Sequence, residues 1–261
     1  MTMPSLLEYH LAQGARAFST MRKGGVSQGP YAEFNINYYC GDRREDIEAN
    51  RLSLCRFLGI DMQHLVYPHQ VHGVEVLAID EDFFTLDDKR RKECLEGVDA
   101  VMTHLPGVCV GVSTADCIPV LLYDKEHHAC CAVHAGWRGT VSRIVQHAVS
   151  AMAEKYGTVP GALVAVIGPG ISLEHFEVGD EVYEAFRLAG FNMTAIATRM
   201  EKWHIDLWEA NRLLLVESGV PSGNIQVAGI CTFANAGQFF SARRLGIDSG
   251  RIFSGMVVDN F

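Results

Sequence analysis

The sequence predicts one domain over residues 1–261 that mixes strands and helices along its whole length. Short apolar runs of strand character recur between segments with helical spacing. No linker, low-complexity tract or internal repeat divides the chain. With 261 residues, 48% apolar and 20% charged, it can bury one large core, or two modest ones closely packed.

Residues 15–20 read as a strand running into 22–30, where Gly24, Gly25, Ser27 and Gly29-Pro30 mark a loop. Such a loop could bring backbone N–H groups and the Arg22 guanidinium to an anion; a plain surface turn is the simpler reading. Residues 34–39 alternate like a strand. Residues 46–58 have helical spacing, with Ile47, Leu54, Phe57 and Leu58 as the apolar face. Asn50 and Arg51 fall on other faces, and Gly59 is the expected C-cap. Residues 65–68 form a short strand. Beyond it, Pro68, Gly73 and the spacing of Val71, Val74 and Val76 favour extended or turned backbone over helix. His69 and His72, three apart, then face opposite ways, and His72, beside the glycine, is the candidate ligand.

Residues 81–96 form a charged surface excursion with a helix, and 97–103 a strand entered through a polar corner. Two apolar strands, 108–112 and 129–133, lead into Thr114-Ala115-Asp116-Cys117 and His134-Ala135-Gly136-Trp137-Arg138-Gly139. Residues 140–156 have helical spacing ended by Gly157. A buried-type strand at 162–167 closes in Gly168-Pro169-Gly170, a loop that could approach a ligand. A helix at 178–188, a lead-in at 203–207, a helix at 208–218 ended by Gly219 and a strand at 225–230 complete the order. Arg243 and Arg244, after Phe239-Phe240, could bind phosphate bidentately; a solvated basic turn is the other reading.

The formal net charge of −9 argues against a general nucleic-acid binder. No apolar run reaches the roughly 18 residues of a membrane span. Glu8 and His10 interrupt any leader-like stretch, so the chain is read as cytoplasmic. Its eight cysteines do not suggest a disulfide framework in that setting. Cys109, Cys130 and Cys131 sit in apolar runs, as buried thiols do. Cys117 does not: Asp116 precedes it and Pro119 follows. Cys117 and His134 at strand edges, with His72 upstream, suit either a zinc ion or a nucleophile–base pair.

The motifs at 134–139, 114–117 and Gln70-Val71-His72-Gly73 resemble the YfiH-like family, long labelled multicopper polyphenol oxidase or laccase-domain and described as a purine nucleoside phosphorylase family. Arg22-x-Gly-Gly-Val-Ser, Gly41-Asp42, Asn50-Arg51, Phe176-Glu177-Val178-Gly179, Cys231-Thr232, Phe239-Phe240-Ser241-x-Arg-Arg and Gly250-Arg251 extend the resemblance over nearly the whole chain. It implies an α+β single domain with mixed, bifurcated β-sheets and flanking helices, grouped with a toxin family of cysteine hydrolases. It also implies one zinc per chain on His72, Cys117 and His134, and phosphorolysis of adenosine, inosine and methylthioadenosine. Adenosine deamination would be a second activity. Purine nucleosides and phosphate would be the partners, and some members are linked instead to editing of peptidoglycan precursors.

For that chemistry Asp116 is a candidate base. Arg22, Arg138, Arg243 and Arg244 are candidate phosphate holders, and Asn35 and Gln70 candidate ribose or base contacts. In the hydrolase alternative Cys117 is the nucleophile, with His134 or His72 its base. A laccase-like oxidase would need several copper centres, and the eleven histidines do not form the pairs these require. A non-enzymatic, zinc-stabilised binding protein would need a fourth protein ligand, with His69, Cys231 and Asp116 the candidates. The chain departs from the family pattern at Glu33-Phe34-Asn35-Ile36-Asn37 (usually Ser-Leu-Asn-Leu-Gly), at Tyr39 (often histidine) and at Ala242 (usually tyrosine).

Overall fold

The computed structural model describes residues 3–259. Its strands are β1 (Leu6–Tyr9), β2 (Ala15–Thr20), β3 (Leu65–Val66), β4 (Val76–Ala78), β5 (Ala100–Thr103), β6 (Cys109–Thr114) and β7 (Ile118–Asp124), followed by β8 (Ala129–Ala135), β9 (Leu163–Ile167), β10 (Glu177–Val178), β11 (Ala197–Arg199), β12 (Trp203–Ile205), β13 (Ile225–Val227) and β14 (Ile252–Val258). The helices used below are α1 (Arg44–Leu58), α2 (Asp88–Leu95), α3 (Trp137–Val141), α4 (Ile144–Tyr156), α5 (Asp180–Leu188) and α6 (Leu207–Glu217).

Two mixed sheets dominate. One has the order β1-β2-β14-β6-β3, the other β13-β9-β7-β8-β5-β4, and a small sheet β10-β12-β11 stands beside them. Alternation along the strands explains the layering. Leu121 and Tyr123 of β7, Cys130 and Ala132 of β8, Val110 and Val112 of β6 and Met256 and Val258 of β14 share one core between the two large sheets. The intervening residues Val120, Leu122, Cys131 and Val133 pack the other way, against Ile144, Val145, Ala148 and Met152 of α4 and Leu215 of α6. On the far side, Phe18, Cys109, Phe253 and Val257 meet Leu54, Cys55 and Leu58 of α1. The result is four layers: helix, five-stranded sheet, six-stranded sheet, helices. No helix among the described residues is long and apolar enough to cross a membrane.

The chain passes from the five-stranded to the six-stranded sheet twice, at residues 67–75 between β3 and β4 and at 115–117 between β6 and β7. It returns at 104–108 between β5 and β6 and through 228–251 between β13 and β14. The crossings at 67–75, 115–117 and 228–251 carry Gln70-Val71-His72-Gly73, the end of Thr114-Ala115-Asp116-Cys117, Cys231-Thr232, residues 239–244 and Gly250-Arg251.

Several expectations are corrected. Residues 34–39 form no strand. Phe34 and Ile36 are buried in the core, but the backbone there is satisfied by side chains rather than by a ladder. The Asn50 amide donates to the Asn35 carbonyl at 2.9 Å and the Glu33 carbonyl at 3.2 Å. Tyr67 Oη donates to the Ile36 carbonyl. Asn50 and Arg51 are therefore buried, whereas Phe57, assigned to the apolar face, is exposed. Arg51 is buried because its guanidinium lies over both Tyr38 and Tyr67, 5.1 Å from each ring. The segment 140–156 is two helices, α3 and α4, broken where Arg143 takes φ 63°. Helix α5 starts at Asp180, because Val178 pairs in β10, and β13 ends at Val227. Strands β7 and β14 escape the sequence pattern: Pro119 interrupts the first and Ser254-Gly255 the second. Gly59, Gly157 and Gly219 follow their helices with positive φ as expected.

Asn50 offers the test of this frame. Its Oδ1 accepts from the Val26 N–H at 2.9 Å while its amide serves the opposite strand of loop. Asn50→Ala leaves buried backbone groups unpaired and should cost about 2–4 kcal/mol, since each such group costs ~1–3 kcal/mol. Chemical denaturation would show it; a loss below ~0.5 kcal/mol, the range of a neutral surface change, would contradict the assignment.

Candidate metal centre and its cavity

His72, Cys117 and His134 converge. One donor atom from each lies within 4.8 Å of the other two, and Cys117 Sγ is 3.8 Å from His72 Nε2. Each is delivered by a different piece of the frame. His72 sits in the first crossing with φ 64°, Cys117 in the second directly after Asp116 at φ 86°, and His134 near the end of β8. A positive φ at a non-glycine residue is costly and is held in place by its surroundings.

For His72 those surroundings are Asp99, fully buried ahead of β5. Its Oδ1 accepts from the His72 N–H at 3.0 Å, and its Oδ2 from Val71 at 3.1 Å and Gly73 at 2.7 Å. The same Oδ1 lies 2.7 Å from His134 Nδ1. The carboxylate thus fixes the turn carrying one imidazole and the ring of another, leaving His134 Nε2 for the cluster. Sequence reasoning missed Asp99; its only signal is an acid at the polar entrance to an apolar strand.

Gly136 closes the other side. A Cβ there would lie 2.9 Å from His72 Cδ2 and 3.0 Å from Cys117 Sγ, although its own φ of −70° suits any residue. The Gly168-Pro169-Gly170 loop approaches protein rather than ligand. A Cβ on Gly170 would meet Ile118 and the carbonyls of Asp116 and Cys117, and the Ile171 N–H donates to the Asp116 carbonyl.

Charge completes the design. Burial opposes ionisation of the Cys117 thiol, but the charge and hydrogen bond of His134, with His72 behind them, bring it down to about 6. Burial likewise disfavours a charged His134, while the Cys117 thiolate and the Asp99 carboxylate hold it up to about 9. Asp99 stays below the usual carboxylate range against its burial because His134 and the N–H groups of Gly73 and Val71 favour its anion. A poised thiolate beside two imidazoles fits a zinc-type donor set, and the same pair fits a nucleophile with its base.

The cluster opens into a cavity lined by Tyr39, His69, Gln70, Thr114 and Arg251, among others. Of the expected substrate contacts only Gln70 lines it. The Gln70 amide is paired with the Ser113 backbone, donating to its carbonyl at 2.8 Å and accepting from its N–H at 2.7 Å. Arg22 instead ties loops together through the carbonyls of Ala32 and Ala236 and lies over Phe240. Asn35 is buried, donating to Asp42 and accepting from the Arg251 N–H. Arg138 lies over Trp137 on the surface, Arg243 donates to the Glu177 carbonyl, and Arg244 lies over Phe233. The guanidinium at the cavity wall is that of Arg251, which makes no salt bridge among the described residues.

Asp116 turns away from the cluster. Its oxygens accept from Thr232 Oγ1 and from the Arg243 N–H, both at 2.7 Å. Neither of the other possible fourth ligands joins the cluster among the described residues. His69 pairs with Glu96, and Cys231 packs against Ser172 and His175.

The chain is similar to known proteins over nearly its whole length. A family model described as multi-copper polyphenol oxidoreductase laccase matches residues 16–259. A protein of Bacteroides thetaiotaomicron named purine nucleoside phosphorylase is 49% identical over 92% of this chain and 90% of its own length. A protein of an unknown prokaryotic organism named adenosine deaminase RL5 is 44% identical over 94% of each. The crystal structure of YlmD from Geobacillus stearothermophilus superposes with a TM-score of 0.87 at 30% identity, covering 95% of this chain and 93% of that one.

Four outcomes are expected. Asp99→Asn should weaken metal binding by about 10–100-fold, as loss of a supporting carboxylate does, measured by competition with a chromophoric chelator. Gly136→Ala should lose bound metal while keeping the wild-type circular dichroism spectrum; unchanged metal content would show that the cluster tolerates the extra methyl. In metal-free protein, alkylation of Cys117 by iodoacetamide should rise through a midpoint at about pH 6 and then level off, because the anion forms there. His134→Gln should move that midpoint upward.

Proposed function

The chain belongs to the multi-copper polyphenol oxidoreductase laccase family, and from that premise we propose that it is a zinc-dependent purine nucleoside phosphorylase. Its substrates in this reading are adenosine, inosine and methylthioadenosine, with adenosine deamination as a second activity. The observation that carries the proposal is the convergence of three donors, with no fourth protein ligand among the described residues, on a cavity also lined by Arg251, which makes no salt bridge among those residues.

His72, Cys117 and His134 would hold the zinc, with the Cys117 thiolate supplying the negative charge and Asp99 fixing both imidazoles. When bound, zinc supplies Lewis acidity at a coordination position these side chains leave open. Arg251 holds phosphate. Its guanidinium is itself fixed by the carbonyls of Ile247 and Ser249, so it meets the anion without having to be ordered first. Tyr39 and Ile247 offer apolar surface to the base or ribose. A laccase mechanism finds less support: the described residues contain one cluster of three or more side chains able to hold a metal.

One observation favours a second reading. The thiolate–imidazolium pair of Cys117 and His134 is also an activated nucleophile, suited to cleaving an amide or ester in a peptidoglycan precursor. The two readings need the same sulfur in different states, so chelation separates them.

Zinc-loaded protein is expected to release adenine from adenosine only when phosphate is present, followed by chromatography, and Cys117→Ser to abolish it. Inosine formed regardless of phosphate would show the deaminase activity. Arg251→Gln should raise the KM for phosphate by about 10–100-fold, the range for a lost charge-assisted contact of ~1.5–3 kcal/mol, with a smaller change in kcat. Full activity after chelation would overturn the zinc reading in favour of the nucleophile.

A further inference from the structure

A second histidine–carboxylate pair stands at the cavity, where His69 is a lining residue. His69 Nδ1 lies 2.7 Å from Glu96 Oε1, the separation also found between His134 and Asp99. The His69 backbone is clamped: its N–H donates to the Leu95 carbonyl at 2.9 Å, and its carbonyl accepts from the Gly97 N–H at 3.0 Å. Its ring stacks on Tyr39, with centroids 4.1 Å apart and planes inclined by 19°. Both rings line the cavity onto which the donor cluster opens.

The two pairs differ in what the other ring nitrogen does. With Nδ1 on Asp99, His134 commits Nε2 to the buried cluster. Nε2 of His69 has no protein hydrogen-bond partner among the described residues, and its side chain is 37% exposed. The other histidines and the aspartate nearby are occupied. His72 and His134 belong to the donor set, and both oxygens of Asp116 accept hydrogen bonds.

Phosphorolysis needs such a carrier. A purine expelled as its anion is a poor leaving group, whereas one protonated on a ring nitrogen departs neutral. We propose that His69, oriented by Glu96, is the general acid that protonates the departing base; this rests on the phosphorylase reading above. An oxygen of hydrogen phosphate dianion forms the new bond to C1′ as the C1′–N9 bond breaks. The electron pair of that bond goes to the purine, which takes the Nε2 proton of imidazolium His69. The products are neutral base, the monoprotonated sugar 1-phosphate and neutral His69. Loss of the phosphate proton to solvent and uptake of one by His69 restore the starting state. Glu96 stabilises the imidazolium and fixes its plane, and the stacked Tyr39 ring keeps that plane against the cavity wall.

The test compares inosine with 7-methylinosine, whose base already carries the charge that protonation would supply. His69→Gln should lower kcat/KM for inosine by about 10²–10⁴-fold, the usual contribution of a general acid, and leave 7-methylinosine nearly unaffected. Glu96→Gln, a change at an exposed position, should give a smaller loss confined to inosine. Metal content should be the same in both variants as in wild type. Equal losses on both nucleosides, or none on inosine, would overturn the acid role and leave the phosphorylase reading standing. Wild-type protein that turns over neither nucleoside with phosphate would overturn that reading, and the role of His69 with it.

Discussion

The site depends on one buried carboxylate. Asp99 accepts from three consecutive backbone N–H groups and from an imidazole, and it does so fully out of solvent. An isolated carboxylate at that depth would be protonated; four donors make the charged form the stable one. In return the anion holds residues 71–73 in a turn that puts His72 in the left-handed region, and it selects the tautomer of His134. Two of the three converging donors thus answer to a residue that contributes no donor itself.

The sheets explain why the third donor arrives in register. Strand β6 belongs to one sheet and β7 to the other, so the chain must step across within 115–117. Asp116 anchors that step through Thr232 and the Arg243 backbone, and Gly170 backs it closely enough to exclude a methyl group. The crossing at 228–251 adds Ala242, Ile247 and Arg251 to the cavity wall. Three departures from the family pattern, Asn37, Tyr39 and Ala242, all line that wall.

Much of this was legible in the sequence, and what was not has a physical cause. Cys117 and His134 stood out because polar side chains ended apolar runs, and His72 because a glycine followed it. The glycine stops were read correctly because φ is a local property. Asp99 was hidden because its partners lie far along the chain. Strand β14 was hidden because Gly255 and Ser254 leave room for the Phe253 ring and a buried hydroxyl chain, Ser254–Ser19–Tyr9, and so break the apolar run. Residues 34–37 imitate a strand because apolar and polar residues alternate, yet all four are buried, and Asn50 and Tyr67, on distant elements, bond the carbonyls of Asn35 and Ile36. Arg22, Arg243 and Arg244 have the chemistry of phosphate holders, but position decides, and position placed them on carbonyls and rings.

The three donors also have a mechanical meaning. His72 and Cys117 each lie on a strap passing from one sheet to the other, while His134 is part of the second sheet itself. An ion gripped by all three therefore rivets the two straps to one strand at the mouth of the sandwich. By mass action its binding free energy adds to the stability of the native state against any opening that releases the ion. Sliding one sheet past the other and prising the ion loose become the same motion, so the affinity of the centre is in part a measure of how firmly the two sheets are seated on each other.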